Sequence, residues 1–376
     1  MAVTRDSAGI AITENPATLL EQAQLLVADS ASVTIGALDG AEHEQLFQVR
    51  GLRQLADGSI LVLNAGTHEL RRYDASGRWL GSFGRRGEGP GEMQFPVTLL
   101  PIDADTSWVL DIALRRFHVV DATGAIVGSI PLSGPFSGLV GLVDSTTAIT
   151  AEPRQPRGVY DQVLPSTVTL RRVDIRTGAV DTLDVLPGGR QEYVYTQGDL
   201  VRSVSVPFTV MPVVRVRGGA IHVTDGLSPE VRVYDASGEL RRIMRVMLDP
   251  APVTSSDWDA VVEGTLEART RNQRGESRLA AGELDRHRKV YAEMARPQHL
   301  PFFDEMLLTD PAHVWVRHYS PPGPVQRWIA LDSVGRVVAR ATVPTSLLIR
   351  ELTREKAFGR SIDAMDVEYV KVYPLR

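Results

Sequence analysis

Four times along this chain an apolar run closes on Asp, two further residues and Gly: Tyr73-Asp74-Ala75-Ser76-Gly77, Val120-Asp121-Ala122-Thr123-Gly124, Tyr234-Asp235-Ala236-Ser237-Gly238 and Leu331-Asp332-Ser333-Val334-Gly335. Gly supplies the positive φ of a tight turn, and the Asp carboxylate accepts hydrogen bonds from the amides that follow it. Each copy therefore joins two antiparallel strands. Asn64, Asp111 and Asp225 stand ten positions ahead of three of these Asp residues. The repeat is thus an apolar strand, a loop, a second strand, the turn and a third strand.

Residues 47 to 84 show the unit most clearly. Phe47 to Leu55, Ile60 to Leu63, Leu70 to Tyr73 and Trp79 to Phe83 read as four short strands, with Asp57-Gly58 turning the first pair. Further units fall at about 95 to 131, 136 to 186, 209 to 247 and 303 to 343. Four strands every roughly 40 to 50 residues is the period of a β-propeller rather than a sandwich. The C-terminal segment offers three more strands, Leu347 to Leu352, Lys356 to Ile362 and Val367 to Tyr373. Ser32 to Gly36 offers the fourth, so strands from both ends seal the ring and leave no open blade edge. The expectation is an all-β, six-bladed β-propeller in a single domain over 1–376, with 1–30 as an N-terminal extension.

One stretch breaks the β pattern. Trp258, Val261, Val262 and Leu266 recur at helical spacing behind Ser and Asp start signals. After Gly275, Ala280, Leu284, His287, Tyr291 and Met294 share a second face. These predict an αα hairpin inserted between blades 4 and 5, within 255–297. In a propeller that connection lies on the same face as the loop between second and third strands, so the helices are expected to cover part of the loop face.

Composition narrows the partners. A net charge of −5 provides no basic surface for nucleic acid. No segment approaches the roughly 20 apolar residues of a membrane helix, and residues 1–30 lack the basic-then-apolar pattern of a leader. The absence of cysteine removes disulfides, thiolate nucleophiles and Cys-ligated metals.

Gly84-Arg85-Arg86-Gly87-Glu88-Gly89-Pro90-Gly91-Glu92 follows the outer strand of the first unit. It resembles the Gly-Pro-Gly-Glu loop of bacterial exported six-bladed propellers with NHL-like or TolB-like repeats. Leu300-Pro301-Phe302-Phe303, Val314-Trp315-Val316-Arg317 and Asp366 to Tyr373 extend the resemblance. It covers about Ile35 to the end and implies a periplasmic, outer-surface lipoprotein or secreted protein. It implies nothing about chemistry.

The glycine-rich loop lacks the Gly-Lys-Ser/Thr ending and following helix of a phosphate-binding loop, and Glu88 and Glu92 oppose an anion there. It reads as an interblade connection pinned by Arg to Glu contacts. Asn64, Asp111, Glu152, Asp225 and Arg317 recur at second-strand ends. Their repetition suits loop capping better than ligand recognition. The interruptions of the repeat are more informative. They are Glu152 to Asp161, Gly188 through Arg202, and Arg317-His318-Tyr319-Ser320-Pro321-Pro322-Gly323. All three are expected on the helix-covered face. Arg154, Arg157, Arg190, Arg317, His318 and Tyr319 are the candidate ligand-binding residues, the arginines through forked hydrogen bonds and Tyr319 through stacking or its hydroxyl. Glu152, Asp161 and Glu192 are their alternative partners.

Metal-dependent six-bladed lactonases bind a divalent cation through Glu, Asn and Asp near the central channel, and hard cations need several such oxygens together. This chain holds three Asn, and its inner strands begin with Val49-Arg50, Phe95-Pro96-Val97, Phe136, Met211-Pro212-Val213 and Phe302-Phe303. That predicts an apolar, Arg-edged channel mouth and no metal or other cofactor. No Gly-x-Ser-x-Gly nucleophile elbow and no His-Glu-x-x-His spacing occur. The expectation is a binding or interaction scaffold for a small molecule, glycan, peptide or protein. The alternatives are a hydrolase or lyase built across blades on Arg154, Arg190, His318 and Tyr319, or a structural subunit of an envelope complex.

Overall fold

Runs such as Ile60 to Leu63 and Ser107 to Asp111 are buried at every position. A strand buried on both faces must lie between two packed layers. The computed structural model describes residues 1–22, 24–154, 162–197, 200–270, 281–308 and 312–376. It is mostly β, and its strands form six sheets among the described residues.

The chain opens with β1 (Val3–Ser7), β2 (Ile10–Pro16), the one-turn helix α1 (Leu19–Gln22), β3 (Gln24–Leu26) and β4 (Val33–Ile35). Sheet I then runs β5 (Val49–Gln54), β6 (Ile60–Asn64), β7 (Glu69–Tyr73) and β8 (Trp79–Phe83). Sheet II is β9 (Pro96–Pro101), β10 (Ser107–Asp111), β11 (Arg116–Val120) and β12 (Ile126–Pro131). Sheet III is β13 (Leu139–Leu142), β14 (Thr147–Arg154), β15 (Gln162–Asp174), β16 (Val180–Gln197) and β17 (Leu200–Ser205). Sheet IV contributes β18 (Val213–Arg217), β19 (Ala220–Thr224), β20 (Glu230–Tyr234) and β21 (Leu240–Met247). Two helices follow in the chain, α2 (Ser255–Thr270) and α3 (Ala281–Glu293). Sheet V is β22 (Phe303–Leu307), β23 (His313–His318), β24 (Val325–Asp332) and β25 (Val337–Pro344), and sheet VI begins with β26 (Leu347–Leu352), β27 (Lys356–Ile362) and β28 (Glu368–Pro374).

The N-terminal strands finish the last three sheets from outside. β2 adds parallel to β21 of sheet IV and carries β1 with it; β3 adds parallel to β25 of sheet V. β4 pairs antiparallel with β28, Val370 opposite Ile35. The stretch expected to be an extension, residues 1–30, therefore contains three sheet strands.

Apolar clusters sit between sheets. Leu61, Leu63 and Leu70 of sheet I meet Val109 and Val120 of sheet II. Similar clusters join II to III, III to IV, IV to V and V to VI. Another joins sheet VI to sheet I, through Ile35, Phe358 and Val370 against Val49, Val62 and Tyr73. Burying each such side chain is worth about 1.5 to 3 kcal/mol, so the seams between sheets hold most of the apolar stabilisation.

The Asp-x-x-Gly turns join third to fourth strands. Asp74 Oδ1 accepts from the amides of Ser76 and Arg78 at 2.9 and 3.0 Å, and Asp121, Asp235 and Asp332 repeat the pattern. The four glycines have φ between +88° and +95°. Sheet III carries a longer version, Asp174 to Gly178, in which Asp174 accepts from Arg176 and Thr177. Sheet VI has no place for one, because its fourth strand is β4 from the other end of the chain.

The segment Gly188 through Arg202, expected as an irregular link, is instead mostly strand. β16 runs on past its pairing with β15 and hairpins onto β17, Tyr193 opposite Val204. Hairpin and helices share one core of Tyr193, Tyr195, Val204, Val206 and Phe208 with Trp258, Val262, Leu266, Val290, Tyr291 and Met294. The helices thus spend their apolar faces on sheet III.

Candidate functional site

The polar residues at second-strand ends tether the start of the inner strand. Asn64 Oδ1 accepts from the Phe47 amide at 2.7 Å, and Asp111 accepts from the Gln94, Phe95 and Leu114 amides at 2.6, 3.1 and 3.0 Å. Burial works against the Asp111 anion, but His118 and these three amides hold its carboxyl down to about 2. Glu152 binds Ser137 and Arg171, and Asp225 caps Leu227 and Ser228. These four side chains are all taken up by partners nearby. The glycine-rich loop is pinned likewise: Arg85 donates to Glu92 at 2.8 Å, Glu92 accepts from the Gly89 amide, and Arg116 donates to the Gly89 and Glu92 carbonyls.

With the tethers set, β5, β9, β13, β22 and β26, the first of the consecutive strands in five of the six sheets, each carry a β-bulge. The registers skip Arg50, Val97, Val140, Asp304 and Arg350. A bulge re-aims the extra side chain and is a common device beside functional sites.

The bulged Asp304 anchors one candidate. Arg317 donates Nε to Asp304 Oδ1 at 2.7 Å and its second nitrogen to Oδ2 at 2.9 Å, with its guanidinium carbon 5.9 Å from the Trp328 ring centre. Burial pulls the Arg317 pKa down, yet the Asp304 fork outweighs it and the net shift is upward. Tyr319 lies beside this pair, and its phenol is pushed up to about 12 by burial, with Asp304 and Asp257 adding to the effect. At neutral pH it is a hydrogen-bond donor rather than a base. Its ring meets Phe208 edge-on at 6.4 Å.

His318 alternates to the opposite face of β23, where burial and then the charges of Arg340 and Arg327 lower its pKa. Arg190 is committed to Glu192 at 2.8 Å and to Ser205. Arg154 ends β14 with its side chain exposed. Arg157 lies outside the described residues. The structure therefore brings Arg317 and Tyr319 together and leaves His318, Arg190 and Arg154 apart in three different settings.

What joins two of these neighbourhoods is a cleft of about 340 Å³. It is lined by Gly189 and Gln191 on either side of Arg190, by Phe208, which touches Tyr319, and by Val210, Leu227, Pro250, Pro297 and Leu300 to Phe302. Its floor is tight. A Cβ at Gly189 would lie 2.5 Å from the Asp225 carbonyl oxygen, and one at Gly226 would lie 2.2 Å from Val210 Cγ2. Leu227 is 57% exposed at its rim. The sequence reading missed Phe208, Leu227 and the prolines, because no repeat or charge pattern marks them. Pro297 and Pro301 bracketing His299 were the available signal. Among the described residues no three His, Asp or Glu side chains gather closely enough to hold a metal ion.

The chain matches no protein-family model and no curated protein sequence. Its fold is similar to that of a member of the DUF4221 family from Bacteroides vulgatus, at 8% identity and a TM-score of 0.54, covering 94% of this chain and 99% of that one. More distant structures include BamB from Moraxella catarrhalis, at 12% identity and a TM-score of 0.34 over 99% and 96% of the two chains. The calcium-binding protein regucalcin from Agrobacterium tumefaciens follows at 11% and 0.35 over 94% and 96%. The likeness to the DUF4221 protein is one of overall fold and spans nearly the whole of both chains. No helix among the described residues is long and apolar enough to cross a membrane.

Proposed function

We propose that the chain is a single-domain, six-bladed propeller, its ring sealed where β4 joins β28, with the two helices inserted between the fourth and fifth blades. It acts as a rigid binding module of the bacterial envelope or secreted space, and a small molecule, glycan or short peptide occupies the cleft beside Phe208 and Leu227. One observation carries this reading: the departures from the repeat converge there. The prolonged β16, the segment after β17 that bears Phe208, the prolines that precede β22, and Tyr319 all border or touch the cleft. The apolar helix faces are buried in the same core, which favours a preformed pocket over a protein docked on the helices. The cell-envelope assignment rests on the resemblance of the Gly84 to Glu92 loop.

The test uses anilinonaphthalene sulfonate, whose fluorescence rises in apolar pockets. The native protein should bind it saturably, and glycans, peptides and aromatic acids can then be screened for displacement. Leu227→Asp, at an exposed position, should weaken binding about tenfold or more, since burying one leucine is worth about 1.5 to 3 kcal/mol. Equal binding by both proteins would remove the cleft from consideration.

A further inference from the structure

A second place in the fold collects charge without a counterpart. Arg50 on β5 and Arg350 on β26 are both the extra residue of an inner-strand bulge, and β5 and β26 pack against each other. Neither forms a hydrogen bond or ion pair among the described residues. Arg215 on β18 reaches across a seam to Glu305 on β22 at 2.5 Å, and Arg360 on β27 pairs with Glu368 at 2.9 Å. Arg360 also approaches the Val49 carbonyl at 3.5 Å, next to Arg50. The adjacent carboxylates are already used: Asp304 by Arg317, and Glu351 by Lys356 and the Gln54 amide. Four guanidinium groups thus face two carboxylates.

Sheets I, IV, V and VI each contribute to this set. Sheets IV and VI are separated by sheet V, so side chains from both can approach one another only toward the axis where inner strands converge. The electrostatics agree. Arg350 is exposed to solvent, yet its pKa is lowered, first by the surrounding protein and then by Arg360, Arg215 and Arg50, with Glu305 opposing. An accessible side chain that is nonetheless walled in by protein and by like charge is what a water-filled channel produces.

We infer that the axial channel is an anion-binding site, in which Arg50 and Arg350 grip a compact multivalent oxyanion, a phosphate or polycarboxylate group of a small molecule. Arg215 and Arg360, each held by one carboxylate, supply the surrounding positive field. Like charges on neighbouring strands repel one another, and a ligand carrying the missing negative charge removes that repulsion. Guanidinium suits the task because its planar fork matches carboxylate and phosphate oxygens in pairs. This inference shares only the ring geometry with the cleft reading and concerns a different place.

Calorimetric titration with citrate and with inorganic phosphate, at ionic strength held constant with sodium chloride, tests it. At least one should bind saturably, citrate alone pointing to a polycarboxylate and phosphate alone to a phosphorylated ligand. Arg50→Gln with Arg350→Gln should weaken binding at least tenfold, whereas Leu227→Asp should leave it unchanged, so failure here and failure of the cleft are separately visible. Without anion at low salt, Arg350→Gln should melt at the same temperature as the native protein or higher, because it relieves repulsion. Absence of saturable binding for both anions, retention of binding in the double variant, or a markedly lower melting temperature for Arg350→Gln would each overturn the inference.

Discussion

Sheets I and II keep to the repeat, whereas sheet III departs from it halfway along. The strands of sheets I and II are five or six residues long, and each polar side chain at a strand end closes on a nearby amide. In sheet III, β15 extends to 13 residues and β16 to 18, and the surplus, paired on to β17, packs with α2 and α3. The difference teaches that the repeat builds seams. Arg53 makes this concrete: from sheet I it donates to the carbonyls of Asp103, Ala104 and Thr106 and to Ser107 of sheet II, all at 2.9 Å. Arg217 of β18 likewise donates to carbonyls of Leu308 and His313 in the next sheet. Where the strands outgrow the seam, a separate core appears, and the cleft lies at its edge.

The comparison can be broken most forcefully at Trp258, which is 2% exposed in that separate core. Trp258→Ala should cost about 3 to 5 kcal/mol. If the core is a unit distinct from the seams, helical circular dichroism will be lost at lower urea than the β signal, and cleft binding will go with it. A single transition lowered as a whole would mean the two regions unfold together.

Asp111 tests the seam side. Its carboxyl, held at about 2 against an ordinary value near 4, favours the folded state whenever it is ionised. Asp111→Ala should therefore cost about 2 kcal/mol at pH 7. Because the folded pKa is the lower one, the contribution is complete above about pH 4 and is lost as pH falls toward 2. Denaturant melts of both proteins at pH 7 and near pH 2 should show the gap closing; a gap independent of pH would assign the cost to packing instead.

The smallest effect lies in the turns. Gly77 has φ +90°, and a Cβ there would sit 2.9 Å from Val33 Cγ1 of β4, whereas Gly219 has φ +78° with nothing within 4 Å. Both Gly→Ala changes should cost about 1 kcal/mol for the backbone. Gly77→Ala should cost more, and the excess over Gly219→Ala, read from paired thermal melts, isolates the contact between sheet I and the N-terminal strand.

Much of this architecture was legible in the sequence because the repeat is chemical as well as periodic. Asp at the turn, Gly at positive φ and the polar residue ten positions earlier each answer a local backbone need, so each leaves a residue-type signature. The β4 to β28 pairing followed from counting strands. What stayed hidden depends on long-range geometry. Nothing in the composition of Gln24 to Leu26 says that it will lie parallel to β25, and nothing in Arg350 says that it will be the bulged residue. The candidate residues were drawn from loop charges, and several of those charges are spent on neighbours, Arg190 on Glu192 and Arg317 on Asp304. The cleft was invisible because backbone glycines and prolines define it, and these carry no charge to count.

The three N-terminal strands on sheets IV, V and VI also order events in time. Each finds its partner only after a long stretch of chain has been made: β2 waits for β21, β3 for β25, and β4 for β28. Until then the nascent chain has no outer edge on half of its sheets. A chain cut short anywhere before β28 leaves β4 without its partner.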